Sequence, residues 1–326
     1  MSDDHSDSKP GVPRPPNRAE VPYDLERALS SVVSVRSRIP HDAMTASLLG
    51  TERAGHGVII NDDGLVLTIG YLVTEAETVW LVDGSGRSAP AHVVAYDQET
   101  GFGLLQALQR LGLPALPIGS SAALQQDDPV IFAGQGGIRH AVDAKVILKR
   151  EFAGYWEYLL DEAIFTAPAH PNWGGGALLG PDGTLRGIGS LLVQHVTEDE
   201  ESFNANMVVP IDLLNPILDD LLKFGRVNRP PRPWLGMMTT EYEGHLVVAG
   251  VIEGGPAEAS GIEVGDVVLE VAGTNVTSLA HMFREVWTLG EAGVSVPLMI
   301  YRKDSTSEYI IESASRNARL KTPKLH

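Results

Sequence analysis

Residues 170–179, HPNWGGGALL, decide the fold because this glycine-rich turn stands between two groups of short β-type runs. Each run is rich in branched or aromatic residues and is bounded by turn-forming residues. The runs before the turn are SVVSVRS, HGVIIND, LVLTIGYLV, TVWLVDGSGR, APAHVVAYD, GLLQAL, DPVIFAG, AKVILKR and YLLDEAIFT; those after it are TLRGIGSLLV and NMVVPID. Regular spacing of short strands predicts a barrel or sandwich rather than an α/β sheet.

The hydrophobic period changes at residues 210–224, PIDLLNPILDDLLKF, where leucines and isoleucines recur at helical spacing. This pattern predicts one amphipathic helix that ends at Gly225. The proline-dense stretch 226–233, RVNRPPRP, then predicts a semi-rigid linker to a second unit. That unit has five further β-type runs and a short helix near residues 280–289.

Composition excludes several classes of function. The 326 residues include 43% hydrophobic residues, enough for about two domain cores. The net charge of −17 argues against nucleic acid and anionic membranes as partners. The absence of cysteine excludes disulfides and thiol catalysis. No apolar run is long enough for a membrane span.

The second unit carries its own signature in residues 251–276, VIEGGPAEASGIEVGDVVLEVAGTNV, which resembles the PDZ domain. Such domains add an extended peptide to a sheet edge and hold its terminal carboxylate with backbone amides. The resemblance assigns the carboxylate-binding loop to Trp234, Leu235, Gly236 and Met237. Met282 and Val286 lie four residues apart on the predicted helix, where they would accept an apolar C-terminal side chain or simply belong to the core.

Residues 55–225 followed by 232–318 resemble the HtrA/Deg serine proteases, in which a trypsin-like domain precedes a PDZ domain. The resemblance implies a mainly β fold with a chymotrypsin/trypsin-like double β-barrel. We expect the following organisation: a disordered tail (1–22), the double-barrel domain (23–225), a linker (226–233), the PDZ domain (234–318) and a C-terminal tail (319–326).

The three positions that carry the catalytic triad in this family are substituted. In residues 64–73, GLVLTIGYLV, Tyr71 stands where the family has its general-base histidine. In residues 101–105, GFGLL, Gly101 replaces the orienting aspartate, and in HPNWGGGALL Gly174 replaces the nucleophilic serine. A phenol with an ordinary pKa near about 10 is no base at neutral pH, and glycine has no nucleophile. We therefore expect no catalytic residue of the triad type.

The neighbouring residues support this expectation. Asn172 occupies a glycine position of the oxyanion loop and Trp173 is bulky, which indicates a remodelled hole. Tyr71 is expected to be a packed aromatic, and Trp173 with His170 either lines a remodelled pocket or covers apolar surface. His56, His140 and His195 lack the short spacing of metal ligands, so neither a metal nor another cofactor is predicted.

The leading hypothesis is a catalytically inactive HtrA-like pseudoprotease that binds peptide or protein C-termini through its PDZ domain, with a scaffold or regulatory role in protein quality control. One alternative is hydrolysis by displaced groups, with Ser120, Ser121 or Ser190 acting with His56 or His170. Another is a regulatory subunit of an active HtrA relative. The resemblance also implies a homo-oligomer, commonly a trimer.

The first 20 residues are acidic and proline-rich, without the apolar segment of a signal peptide. As written, the sequence predicts a cytoplasmic location. A periplasmic location is the alternative if the start codon is wrongly assigned, because proteins of this family are usually exported.

Overall fold

The computed structural model describes residues 11–196 and 202–321. Residues 1–10 of the predicted N-terminal tail, the acidic run 197–201 and the last five residues lie outside the described part of the chain. Within residues 11–22, Arg18–Glu20 form a short 3-10 turn, and the carbonyl of Arg14 accepts a hydrogen bond from the amide of Asp143.

The chain folds as two compact units. The first contains the described parts of Met1–Arg150, Glu162–Val227 and Lys321–His326, and the second contains Glu151–Asp161 and Asn228–Leu320. The short segment Glu151–Asp161 thus belongs to the second unit although it lies far from Asn228 in sequence, which the sequence pattern does not predict.

The first unit contains two closed six-stranded barrels, and the predicted double β-barrel is confirmed. One barrel runs in the order β1-β2-β3-β6-β5-β4, and its strands are β1 (Val32–Arg38), β2 (Glu52–Ile59), β3 (Leu65–Ile69), β4 (Thr78–Val82), β5 (Ser88–Tyr96) and β6 (Phe102–Ala107). The other runs in the order β10-β11-β12-β9-β8-β7, and its strands are β7 (Pro129–Ala133), β8 (Ala141–Gly154), β9 (Tyr158–Ala167), β10 (Ala177–Leu179), β11 (Leu185–Val196) and β12 (Ser202–Pro210).

Side-chain alternation builds these barrels. Inward residues of β1 such as Val33 and Val35 are fully buried, and β-branched side chains suit such a pleated surface. The second barrel has its own apolar core around Phe132, Leu178 and Val208. Closure leaves no free strand edge, so each barrel is a stable frame for the loops between its strands.

Within the described part of the chain, three α-helices accompany the barrels: α1 (Leu25–Ser30), α2 (Ala46–Leu49) and α3 (Leu218–Phe224). The predicted helix over residues 210–224 is therefore too long, since only its last part is α-helical. Pro216 explains the difference, because proline lacks an amide donor and disfavours helical backbone in the residue before it. The end at Gly225 is confirmed, with φ 67° and its amide bonded to Leu221 O.

The second unit is an antiparallel sheet with two helices and matches the predicted PDZ domain. Its order is β13-β14-β15-β17-β18, with β16 paired to β15. The elements are β13 (Met237–Tyr242), β14 (His245–Val251), α4 (Pro256–Ala259), β15 (Val267–Val271), β16 (Thr274–Asn275), α5 (Leu279–Thr288), β17 (Ser295–Arg302) and β18 (Ser305–Glu312).

Helix α5 shows why this unit holds together. Ser278 caps its start by accepting a hydrogen bond from the amide of His281. Leu279, Met282, Phe283 and Val286 follow at helical spacing, and all four are buried in the core of the unit. In the described residues, no helix combines the length and apolar character required to pass through a bilayer.

Candidate functional site

The glycine-rich turn at residues 170–176 lies immediately before β10. Gly175 donates its amide to Gly189 O over 2.8 Å, and Gly176 donates to Trp173 O over 3.1 Å. The carbonyl of Gly174 accepts a hydrogen bond of 2.8 Å from the amide of His56. Backbone bonds therefore hold the turn against both β2 and β11, and Gly174 occupies a defined position.

Tyr71 fills the space beside Gly174. It lies in a 3-10 turn, Gly70–Leu72, directly after β3. Its hydroxyl donates to Ser190 O over 2.8 Å. A Cβ atom added to Gly174 would lie 2.7 Å from the Tyr71 oxygen. The phenol thus stands where a side chain at position 174 would begin.

The phenol is not a base. Burial raises the pKa of Tyr71 far above its ordinary value, and the Trp173 side chain opposes this only in part. The hydroxyl therefore stays protonated and acts as a hydrogen-bond donor. It meets a carbonyl oxygen and cannot take a proton from a nucleophile.

Gly101 lies close to the 3-10 turn Gly70–Leu72 that contains Tyr71. Its carbonyl accepts a hydrogen bond from Gly70, the residue before Tyr71, and its amide donates to Asp97 O over 2.9 Å. Its φ of 80° lies in the left-handed region that favours glycine. The structure thus brings together Tyr71, Gly101 and Gly174, the positions predicted to be equivalent to the triad, but the backbone at Gly101 has a conformation that strains an aspartate.

The oxyanion loop has changed its hydrogen bonding. In trypsin-like proteases the oxyanion is bound by the amide of the nucleophilic residue and by that of the residue two positions earlier. Here the earlier residue is Asn172, and its amide donates to His170 Nδ1 over 3.0 Å. The other ring nitrogen of His170 is 3.1 Å from His140 O, and the ring stacks on Phe132. One oxyanion donor is therefore engaged by a buried imidazole.

His56 is a half-buried residue that the sequence analysis treats as an ordinary histidine and, in the displaced-group alternative, as a base. Its Nδ1 accepts a hydrogen bond of 3.1 Å from the amide of Gln135, which places the proton on Nε2. Among the described residues, the buried Nε2 has no hydrogen-bond partner. Burial, reinforced by nearby His170, lowers the pKa of His56 to about 4. The ring is therefore neutral at physiological pH.

The neutral state of His56 predicts a pH dependence of stability. The unfolded chain binds a proton at His56 below about pH 6.5, whereas the folded chain does so only near pH 4. Stability from this residue is complete above about pH 6.5 and is lost as pH falls toward 4, by about 2 kcal/mol between about pH 7.5 and 5. Urea unfolding of the chain at these two pH values measures this loss. The loss should shrink in His56→Gln but not in a variant of exposed His245, His245→Gln; equal pH slopes in the two variants would contradict the assignment.

The serines considered as displaced nucleophiles have other partners. The Ser120 hydroxyl donates to Asp212 Oδ2 over 3.0 Å, and the Ser121 hydroxyl accepts from the amide of Asp212 over 3.3 Å. Ser190 is 3% exposed, and its carbonyl receives the Tyr71 hydroxyl. The hydroxyls of Ser120 and Ser121 thus bond to Asp212 rather than to a histidine.

A cleft of about 370 Å³ lies over the Gly174 turn. Its lining includes Arg36, His56, Tyr71, Trp173 and Gly174. The cleft therefore offers one cation and two aromatic rings, but no hydroxyl at position 174. Without that hydroxyl, the cleft lacks the nucleophile that acyl transfer at this position requires.

The residues predicted to form the carboxylate-binding loop lead into β13, with Trp234, Leu235 and Met237 buried and Gly236 at φ 74°. The left-handed Gly236 directs successive amides to one side of the loop, a geometry that binds anions. The amides of Leu235 and Gly236 both donate to the carboxylate of Glu157, over 3.0–3.3 Å. Sequence reasoning missed Glu157, because it lies 78 positions before Leu235 and outside every motif that was assigned to the PDZ domain.

The predicted side-chain pocket is not open. Met282 is 1% exposed and Val286 is 2% exposed, and both belong to the apolar core of the second unit. Ala153 and Leu159, from the same segment as Glu157, pack against that core. In this structure Met282 and Val286 are thus core residues of the second unit, the other role that the sequence left open for them.

Comparison with known proteins agrees with the two folds. Residues 55–188 match the model of the trypsin-like peptidase domain, and residues 233–312 match the model of the PDZ domain. A relative from Pseudomonas putida, named "Probable periplasmic serine endoprotease DegP-like", is 30% identical over 76% of this chain and 53% of its own length. The chain thus spans about half the length of the DegP-like relatives it matches.

Other relatives and solved structures match most of the chain. "Serine endoprotease DegS" of Salmonella typhimurium is 25% identical over 86% of this chain and 82% of its own length. The solved serine endoprotease from Yersinia pestis is 24% identical, covers 90% of this chain and 99% of its own, and has a TM-score of 0.51. An HtrA-type protease, AlgW with a decapeptide, is 20% identical over 92% of this chain and 98% of its own, with a TM-score of 0.53. These structures show the shared fold.

Proposed function

Because this chain joins a trypsin-like domain to a PDZ domain and is a relative of the HtrA-type serine endoproteases, we propose that it is a non-cleaving binding protein of that group. Its PDZ domain binds peptide or protein C-termini, and its barrels are the scaffold. The single observation that carries the loss of cleavage is the pair Gly174 and Tyr71. No side chain leaves the nucleophile position, and the phenol lies where one would start.

Three further features support the loss of catalysis. The pKa of Tyr71 is raised, so the base position holds a neutral donor. Gly101 has no carboxylate and a left-handed backbone. The Asn172 amide is engaged by His170. Base, orienting group, nucleophile and oxyanion donor act as one unit in serine proteases, so losing each of them removes the mechanism.

The binding part of the proposal is supported by the loop Trp234–Met237. Its amides already hold a carboxyl group, that of Glu157, which is the chemistry that a terminal carboxylate requires. The solved HtrA-type protease with a decapeptide is a relative in fold with a peptide present. We extend peptide binding to this chain on those two grounds.

The wider role that we propose is regulation or scaffolding in protein quality control. A homo-oligomer such as a trimer, or assembly with an active HtrA relative, fits this role. The relatives named periplasmic favour the periplasm as the compartment, while the cytoplasmic location expected from the sequence stays a prediction.

Incubation of the purified chain with unfolded casein and with a fluorophosphonate probe tests the loss of cleavage. We expect no casein fragments and no labelling, because the probe requires an activated serine. An intact HtrA protease treated in parallel is the positive control, and buffer is the blank. Cleavage that survives repurification together with stoichiometric labelling would overturn the proposal and restore the displaced-serine alternative.

A further inference from the structure

The segment Glu151–Asp161 lies within the second unit and contacts the carboxylate-binding loop; we call it the Glu157 hairpin. It is the far end of the hairpin made by β8 and β9, with residues 155–157 at its turn. Glu157 Oε1 lies 3.1 Å from the Leu235 amide and 3.0 Å from the Gly236 amide. A side-chain carboxyl thus occupies the position where a PDZ domain holds a peptide's terminal carboxylate.

The backbone of the same hairpin bonds to the edge of the sheet. Strand β13 is the first strand in the sheet order and pairs with β14 on one side. On its other side, the amide of Thr239 donates to Tyr155 O over 3.1 Å. Tyr155 bonds to Thr239, and Glu157, two residues later in the hairpin, bonds to Gly236, three residues earlier than Thr239. This antiparallel direction is the one in which an added peptide would approach the loop with its C-terminus leading.

The apolar part of the groove is covered by the hairpin as well. Ala153 and Leu159 pack against the core cluster that contains Met282 and Val286. An apolar side chain seated on such a cluster contributes to docking through removal of surface from water. The hairpin therefore supplies a carboxyl group, a strand contact and apolar side chains at once.

Helix α5 holds the two sides of the hairpin base. The Arg284 guanidinium is 2.5 Å from Glu151 Oε2 and 2.7 Å from Asp161 Oδ1. Because Arg284 and its partners are largely exposed, each ion pair contributes little energy. Their value is geometric, since they fix the hairpin beside the helix that borders the groove.

Glu157 itself has an unusual environment for a glutamate. Burial raises its pKa to about 7, although the amides of Leu235, Gly236 and Met237 and the charge of Arg316 act in the opposite direction. Its φ of 60° is left-handed, which is costly for a non-glycine residue. A half-buried carboxyl in a strained backbone persists only where its hydrogen bonds hold it, and here these come from the loop.

We propose that the Glu157 hairpin is a built-in ligand of the PDZ loop. Its carboxyl group stands in for a C-terminal carboxylate, and a peptide C-terminus must displace the hairpin in order to bind. This inference rests on the proposed function, because it concerns access to the same loop. The domain is therefore closed by its own chain until a partner's C-terminus competes successfully.

Hydrogen exchange of the full-length chain without any peptide tests whether the hairpin is docked. In the wild type, the amides of Leu235, Gly236 and Thr239 should be protected. In Glu157→Ala, the amides of Leu235 and Gly236 should exchange about 10-fold faster or more, since they lose their acceptor. The amide of Trp234, which bonds to Ala314 O, should stay protected and serves as an internal reference. Glu308→Ala, an exposed change on β18, is the matched control.

Peptide affinity of the same proteins tests competition. The probes are fluorescent decapeptides that end in Val, Leu, Ile or Phe, each as the free acid and as the C-terminal amide. If the hairpin is docked for about 90–99% of the time, Glu157→Ala should bind the free acids about 10- to 100-fold more tightly than the wild type. Arg284→Ala leaves the loop intact and should give a smaller gain. Glu157→Gln keeps one acceptor oxygen and should fall between wild type and Glu157→Ala.

The outcomes separate the two claims. Unchanged exchange at Leu235 and Gly236 in Glu157→Ala overturns the inference and leaves peptide binding untouched. Increased exchange with equal free-acid affinity in wild type and variant also overturns it, because the hairpin then does not compete. Increased exchange with no free-acid binding by any folded variant supports occupancy by Glu157 but overturns the proposed function. If Glu157→Ala fails to fold, Arg284→Ala and Glu157→Gln carry the same comparison.

Discussion

Gly174→Ser alone is expected to leave the chain unreactive toward a fluorophosphonate probe and unable to cleave casein. The new hydroxyl would meet the protonated phenol of Tyr71, whose raised pKa prevents it from accepting a proton. The Cβ atom would also lie 2.7 Å from that phenol oxygen, so one of the two groups must shift. Activity should stay about a million-fold below that of an intact HtrA protease, the loss expected when a triad does not operate.

The triple variant Tyr71→His, Gly101→Asp, Gly174→Ser is the matched comparison. It supplies all three triad groups, and we expect weak probe labelling from it. Two features limit its rate: the left-handed backbone at Gly101 strains an aspartate, and the Asn172 amide is bonded to His170. Labelling of Gly174→Ser alone, at a rate similar to that of the triple variant, would reveal a base that the structure does not supply. The loss of catalysis would then rest on a single residue.

Gly175→Ala is expected to destabilise the barrel unit by about 4 kcal/mol, enough to prevent folding of many domains. Gly175 has φ 76°, and an added Cβ would lie 1.9 Å from His56 O and 2.6 Å from Thr68 Oγ1. The backbone oxygen cannot move without breaking the contact of β2 with the turn. The measurements are urea unfolding of the chain and hydrogen exchange of the barrel amides, which assigns the loss of stability to the barrel unit.

Gly174→Ala provides the control for that variant, since it adds the same methyl group one residue away. Gly174 lacks a left-handed φ, and its nearest contact is the end of the Tyr71 side chain, which can move. We expect a loss of about 1 kcal/mol for Gly174→Ala. Similar unfolding midpoints for the two variants would show that the turn is not held as tightly as its contacts indicate.

Much of the fold followed from local patterns. The alternation in runs such as SVVSVRS predicted strands because buried and exposed side chains repeat every second residue, and β1 has that burial pattern. The cap at Gly225 followed from glycine's access to left-handed backbone. Leucine spacing alone predicts a helix over residues 210–224, but Pro216 interrupts it, and only Leu218–Phe224 is α-helical.

The site residues were predictable only where they lie within a recognisable sequence motif. Tyr71, Gly101 and Gly174 each lie in a recognisable run, and the structure brings these runs together. The Asn172–His170 bond and the half-buried ring of His56 depend on side-chain directions within a closed barrel, which no run of residues specifies. The aromatic stretch EFAGYWEY around Glu157 was the one available signal at the hairpin, since so many aromatic residues near a turn indicate a contact surface.

By itself the sequence determined which chemical groups exist: two glycines and a tyrosine in place of a triad, and a glycine loop able to present amides to a carboxylate. Tertiary structure alone decided which other residues those groups contact. Glu157 and Gly236 are separated by 79 positions, yet a hydrogen bond of 3.0 Å joins them. Sequence periodicity reports burial along one element, whereas such a bond requires two distant elements to be positioned by closure of a sheet and packing of a core.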